Sequence, residues 1–254
     1  DSDHLDYFES FTNLVEAFTR VINKVKQTVV INYDDDNLRK IQINNFITYG
    51  EHKEVDIRIS EPNIISYQKK NHTVDSALIG KHYLSNIAGA IALCTLYKLS
   101  ISEILEAISK FSGVKRRLEY IGTYKEVKFY DDYGHHPTEI KATISALKKN
   151  TLGKLFVIFQ PHRFTRTRDN FEQLQESLED ADFAVVTDVY SAGEEPIPGI
   201  SSKNFKGKNI KYIKSLRSVP IYIKENIKSG DNVLTLGAGD VTLLGPQILK
   251  YLND

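Results

Sequence analysis

The sequence predicts an α/β protein whose second half is a mostly parallel sheet covered by helices on both faces. Two observations predict it. From Leu118 onward, short apolar runs alternate with helix-like stretches. The chemically unusual residues fall directly after those runs, where parallel strands all present their carboxyl ends on one edge. The composition fits such a globular chain: 254 residues, 41% hydrophobic and 26% charged.

Element by element, residues 9–22 place Phe11, Leu14, Val15, Phe18 and Ile22 at helical spacing. A strand follows at 28–32, closed by the acidic turn Asp34-Asp35-Asp36-Asn37. The β-prone runs 45–49, 55–60 and 63–68 read as an antiparallel meander. Leu84, Ile87, Ala88, Ile91 and Cys94 mark one face of a helix reaching about residue 97, and Ser100-Ile101-Ser102-Glu103 opens another that reaches Phe111. Gly113-Val114-Lys115-Arg116-Arg117 breaks the pattern, dividing the chain into 1–112, a 113–117 hinge and 118–254. In the last part the expected strands are 118–122, 127–131, 155–159, 183–189, 210–213 and 232–236, with helices at 138–147, 169–180, 219–227 and 241–252.

Charge and length exclude several classes. With 33 basic and 33 acidic residues the chain lacks the basic surplus of a general nucleic-acid binder. No apolar run approaches the roughly 18 to 20 residues that span a bilayer, so no membrane insertion is expected. A lone cysteine, Cys94, forms no internal disulfide and points to a reducing, cytoplasmic setting. The chain opens Asp1-Ser2-Asp3-His4 and contains no methionine, which reads as a fragment, a processed chain or an edited record. Nothing in the sequence speaks to oligomeric state.

Four runs should meet at the carboxyl edge of the second sheet: 132–139, 160–169, 190–199 and 237–240. His162, Arg163, Arg166 and Arg168 fall between an expected strand and helix, and bidentate guanidinium groups suit a carboxylate or a phosphate. Surface pairing with Asp169 and Glu172 is the competing reading. Pro137-Thr138-Glu139 looks like a helix start, leaving Tyr133 and His135 in the preceding loop facing the cleft, where a histidine can orient a substrate or carry a proton. A structural role is equally open to His136. Adjacent side chains such as His135 and His136 rarely share one metal ion. Gly237-Ala238-Gly239-Asp240 lacks the third glycine of a dinucleotide loop and reads as a tight strand-to-helix turn capped by Asp240. In the first part, Asp3, His4 and Asp6 form an acidic-histidine cluster suited either to Mg²⁺ or to helix capping. His82 and Asn86, spaced i to i+4, share a helix face that can bracket a base or ribose. No complete P-loop occurs.

Taken together, Asp131-Asp132-Tyr133-Gly134-His135-His136-Pro137-Thr138-Glu139, Gln160-Pro161-His162-Arg163-Phe164-Thr165-Arg166-Thr167 and residues 188–199 closely resemble the Mur ligase family. Asp3-His4-Leu5-Asp6, Gly80-Lys81-His82 with Asn86, and residues 113–117 match family landmarks in the same order. The 160–167 run is similar to that of the alanine-adding branch. Two positions depart from the pattern: Tyr83 stands where asparagine is common, and Phe164 where tyrosine is frequent. The resemblance implies a complete enzyme of three domains, of which this chain would hold the carboxyl-terminal part of the α/β ATPase central domain and the whole Rossmann-like last domain. The UDP-binding domain and the P-loop lysine would lie outside it, so the isolated chain is not expected to catalyse ligation. The implied reaction is ATP-dependent: the lactyl carboxylate of UDP-N-acetylmuramate is phosphorylated, and L-alanine attacks the acyl phosphate, in peptidoglycan precursor synthesis. By the same resemblance His4 would bind magnesium, His82 and Asn86 would lie near adenine, Arg117 near the nucleotide phosphates and Asp132 near the ribose. Tyr133, His135, His162, Arg163 and Arg166 would surround the amino acid, and the 113–117 segment would let the last domain close. A different amino-acid or peptide ligase of the family, and a non-catalytic nucleotide- or amino-acid-binding module, are the competing readings.

Overall fold

The structure, a computed structural model, describes residues 5–254. The chain forms two compact units, Asp1–Ser112 and Gly113–Asp254.

In the first unit, α1 (Leu5–Phe8) precedes α2 (Phe11–Ile22), whose start is fixed by Ser10 accepting the Asn13 amide at 3.1 Å. Five strands follow: β1 (Val29–Asn32), β2 (Phe46–Gly50), β3 (Ile57–Ser60), β4 (Ile64–Tyr67) and β5 (Lys70–Thr73), in the spatial order β1-β2-β3-β4-β5. The expected antiparallel meander over 45–68 is corrected here. β1 and β2 are parallel, β2 meets the start of β3 in a short parallel register, and only β3-β4-β5 runs antiparallel. The reason lies in the loop before β3. The Asp56 carboxylate accepts both the amide and the hydroxyl of Thr48 at 2.8 Å, folding the chain back so that β3 begins beside the end of β2. Helices α3 (Lys81–Leu96) and α4 (Ile101–Ser109) complete the unit, with Ile57, Ile65, Leu84, Ala88, Ile91 and Ile104 in one core. Ser100 and Glu103 close the α4 capping box, as their spacing predicts.

The second unit contains β6 (Glu119–Tyr124), β7 (Val127–Asp132), α5 (Pro137–Lys149), β8 (Leu155–Phe159), α6 (Phe164–Asp169), α7 (Phe171–Glu176), β9 (Phe183–Val186), β10 (Ile210–Tyr212), α8 (Val219–Asn226), β11 (Asn232–Leu236) and α9 (Leu244–Asn253). The sheet order is β10-β9-β8-β11-β7-β6, all parallel except β6, which pairs antiparallel with β7. This is the doubly covered α/β sheet the alternation predicts. The side chains of β8 sort by the two-residue period of a strand. Leu155, Val157 and Phe159 face Ile140, Ile144 and Leu147 of α5 and Leu174 of α7. Phe156 and Ile158 face Val219 and Ile223 of α8 and Leu244 and Ile248 of α9. Burial on both faces explains the unbroken apolar run of this strand. Among the described residues no helix is long and apolar enough to cross a membrane.

Candidate active site

Chain order reverses around β11, which enters the sheet between β8 and β7, and a parallel sheet opens a crevice at such a point. The crevice is closed from below. Gln160, at the end of β8, donates to Asp240 at 2.7 Å and accepts the Val241 amide at 3.1 Å. Gly237 has φ +145°, and a Cβ there would lie 2.7 Å from the Gln160 carbonyl oxygen, so only glycine fits. The run 237–240 is therefore a tight turn, with Gly237 N–H donating to the Asp132 carbonyl at 3.0 Å. The expected Asp240 cap is corrected: no side chain caps this turn, and the Asp240 carboxylate instead receives the Gln160 amide.

Three carboxylates, two at the end of β7 and one in the first turn of α5, organise the loop between them. Asp131, 1% exposed, accepts the hydroxyls of Thr235 at 2.6 Å and Thr242 at 2.7 Å. It also faces Arg116 Nε at 3.6 Å, an ion pair too long to be a hydrogen bond. Arg116 in turn donates to the Gly237 carbonyl at 2.8 Å and stacks over the Tyr133 ring at 4.6 Å. Asp132, 3% exposed, accepts the amides of Leu118 and Gly134, both at 2.7 Å. Burial pushes its carboxyl up to about 6, against the pull of those amides and of Arg117. Glu139 accepts the amides of His135 at 3.2 Å and His136 at 3.4 Å, and faces Arg117 at 3.4 Å. Burial would raise its carboxyl, but those amides, His135 and Arg117 hold it below the ordinary range.

The two adjacent histidines separate cleanly. His136 is the N-cap of α5 and accepts the Thr138 amide at 3.3 Å, a structural task. His135 turns the other way, its Nδ1 lying 3.1 Å from the Tyr133 carbonyl. A carbonyl only accepts, so Nδ1 carries the proton and Nε2 is the acceptor nitrogen. Among the described residues no group of three or more His, Cys, Asp or Glu side chains is arranged to hold a metal.

The arginine run differs from its expected setting. The helix begins at Phe164 rather than 169, so Arg166 and Arg168 lie inside the six-residue α6, and Arg163 is its N-cap residue at φ +68°. Arg168 pairs with Asp169 at 2.6 Å, the surface pairing that competes with ligand binding. Arg166 points back and lies 3.3 Å from His162 Nδ1. A guanidinium only donates, so His162 Nδ1 is unprotonated. Burial, then the charges of Arg166, His135 and Arg163, lower the His162 ring to about 4, leaving it neutral near pH 7. The His135 and His162 rings are 5.9 Å apart, and His162 stacks on Tyr190 at 5.5 Å. Tyr133, His135, His162 and Arg166 thus form one chain of neighbours drawn from the loops of β7 and β8, strands that flank β11.

A groove of about 400 Å³ continues along the same edge, lined by Gln160, Thr187, Tyr190, Ser191, Lys214 and Arg217 among others. Sequence reasoning named Glu139 only as a helix start and gave Glu194 no role. Yet Glu194 accepts both the amide of Thr165 at 3.0 Å and its hydroxyl at 2.6 Å. Only the three-dimensional approach of the 190–194 turn to α6 reveals that bond.

Arg117 borders this cluster, whereas His82 and Asn86 belong to the first unit. Arg117, 45% exposed, leans over Tyr133 at 5.5 Å. His82 and Asn86 lie in the first two turns of α3, with the His82 ring against Tyr83 at 4.3 Å. His4 lies outside the described residues. Of the expected 113–117 hinge, Arg116 and Arg117 are tied into the second unit, since the Arg116 carbonyl accepts the Tyr133 amide at 2.7 Å and Arg117 faces Glu139.

Two profiles of one family match this chain: the Mur ligase middle domain over residues 1–94, and the Mur ligase glutamate ligase domain over residues 116–239. The UDP-N-acetylmuramate–L-alanine ligase of Endomicrobium trichonymphae is 40% identical, the match covering 99% of this chain and 60% of that protein. The enzyme of the same name from Dictyoglomus turgidum is 35% identical over 98% of this chain and 58% of its own length. The chain therefore spans about three fifths of the length of these curated relatives. Among solved structures, the UDP-N-acetylmuramate–alanine ligase MurC of Thermotoga maritima matches with a TM-score of 0.77 at 24% identity, covering 99% of this chain and 57% of that one. The MurF ligase of Thermotoga maritima in complex with ADP matches at 0.81 and 21% identity, covering 99% and 60%. These structural likenesses establish the fold.

Proposed function

This chain belongs to the Mur ligase family, and we propose that it is the nucleotide- and amino-acid-handling part of an ATP-dependent ligase that joins L-alanine to UDP-N-acetylmuramate. The observation that carries the reading is the cluster at the carboxyl edge of the second sheet, where Arg166, the neutral His162 and His135 stand in sequence. An amino acid brings a carboxylate and an ammonium group. Arg163 and Arg166 take the carboxylate, and because His162 is uncharged the anion is bound by guanidinium alone. His135, with Nδ1 occupied by the Tyr133 carbonyl, offers Nε2 to the amine and accepts the proton it sheds. Glu139 and Tyr133 hold that ring in place.

In the reaction so assigned, a carboxylate oxygen of UDP-N-acetylmuramate takes the γ-phosphoryl group of ATP and ADP departs. The alanine nitrogen then attacks the acyl carbon, and the carbon–oxygen bond to phosphate breaks. Holding the amine against the acyl carbon supplies much of the rate. The family resemblance assigns Arg117 to the nucleotide phosphates, and His82 with Asn86 to the adenine. Asp132 turns to the ribose the lone pairs its two backbone bonds leave over. Flexing is proposed for the 113–117 segment. Magnesium, when bound, would offset phosphate charge, with His4 as the residue assigned to it; the described residues hold no group of three or more His, Cys, Asp or Glu side chains arranged for a metal.

The test follows an oxygen atom. With UDP-N-acetylmuramate labelled by oxygen-18 in its carboxylate, the full-length enzyme should release inorganic phosphate carrying one label per turnover. Unlabelled phosphate, or label in AMP, would contradict the acyl phosphate route.

A further inference from the structure

Arg163 is an unusual residue to begin a helix. Its φ of +68° lies in the left-handed region, which an arginine occupies at a cost, and its side chain makes no capping bond to α6. The acceptor that the helix start needs comes from another loop. After β9 the chain turns through Ala192 at φ 50° and Gly193 at φ 88°, and this turn carries Glu194 back onto α6. One carboxylate oxygen of Glu194 accepts the Thr165 amide at 3.0 Å and the other accepts the Thr165 hydroxyl at 2.6 Å. The same two loops are joined by backbone bonds, Arg163 N–H to the Tyr190 carbonyl and Tyr190 N–H to the Pro161 carbonyl, both 2.8 Å.

We propose that Glu194 is a positioning residue for the amino-acid site: it caps α6 from outside and so fixes the backbone from which Arg163 and Arg166 project. The proposal rests on the assignment of those arginines to the substrate carboxylate. The carboxylate of Glu194 is held below its ordinary range because the Thr165 hydroxyl and amide, the Phe164 amide and Arg163 outweigh the effect of burial, so it is ionised across the neutral range and its bonds are charge-assisted. An amide in its place can keep both contacts, its oxygen accepting the Thr165 amide and its NH2 donating to the Thr165 hydroxyl, but it loses the negative charge that strengthens them. The helix start would then be held by weaker, uncharged bonds while the sheet beneath, held by Phe159 and its neighbours, stays intact.

In the full-length enzyme, Glu194→Gln should raise the KM for L-alanine about tenfold or more, while the KM values for ATP and the UDP-sugar stay within about twofold. Thr165→Val should shift the same constant less. The double variant should cost less than the sum of the two single changes, because both act on the same pair of residues. The Thr165 amide proton, shifted downfield by its carboxylate partner, should move upfield in Glu194→Gln with other helical amides unchanged. An unaltered KM for L-alanine, or equal rises for all substrates, would overturn the proposal. Wild-type enzyme without amino-acid-dependent turnover is a separate result, which would remove the reading of the site on which the proposal rests.

Discussion

The loops that follow β7 and β8 flank the same central strand, β11, yet they are built in opposite ways. In the 131–139 loop every carboxylate is committed within or beside the loop: Asp131 to two threonine hydroxyls, Asp132 to two amides, Glu139 to the His135 and His136 amides. In the 160–168 loop the prominent groups are cations, and the helix that carries them is held by the 190–194 turn. The first loop is a scaffold from which Tyr133 and His135 project. The second, under the function proposed above, would be the recognition element.

That contrast gives an ordered set of expectations. Asp131→Ala should be the most damaging change, because it takes a buried carboxylate away from two hydroxyls and from the half-buried Arg116. A loss of about 3 to 5 kcal/mol is expected, read as a fall of roughly 10 °C or more in the unfolding midpoint of the second unit. A drop of under about 1 kcal/mol would remove the scaffold role. Next, the two histidines should part company. His135→Ala should lower turnover about 100-fold with little change in stability, whereas His136→Ala should cost about 1 kcal/mol of stability through the lost cap. Similar effects for both would erase the distinction. Arg166→Ala should raise the KM for L-alanine by roughly 10- to 100-fold and leave the KM for ATP and the melting midpoint nearly unchanged. Equal losses for both substrates would move Arg166 to the nucleotide.

The smallest effect is that of pH, because the two loops oppose each other. His162 titrates near 4 in the fold, below its ordinary 6.5, so the unfolded chain binds more protons in that window. Its contribution is complete above about 6.5 and is lost as pH falls toward 4. Asp132 titrates near 6, above its ordinary 3.8, so the folded chain binds more protons there. Its contribution is complete below about 3.8 and is lost as pH rises through 6. Side-chain NMR titration should show midpoints near 4 for the imidazole and near 6 for the carboxyl; ordinary values at both would mean that neither loop shields its group.

The same contrast explains what the sequence revealed. The strand β8 is legible to the residue because burial on both faces leaves an uninterrupted apolar run, and β11 because Val233, Leu234 and Leu236 stand in a short β-prone run with only Asn232 and Thr235 polar. Asp131 to Glu139 are legible because the helix start at Pro137 and the capping glutamate are local signals. Strand direction in the first unit is not local, since the Thr48–Asp56 bonds set it from eight residues away. β5, the run Lys70-Asn71-His72-Thr73, is an edge strand with no apolar alternation and goes unseen. The early start of α6 was hidden for a related reason: its cap, Glu194, is 29 residues distant from Thr165 in the chain.

The most direct test of the central claim is phosphate release from ATP by the full-length enzyme, with UDP-N-acetylmuramate and L-alanine each present or omitted. The account predicts release only when both are present. ATP left untouched, or consumed equally without L-alanine, would contradict the assignment of the carboxyl-edge cluster to the amino acid.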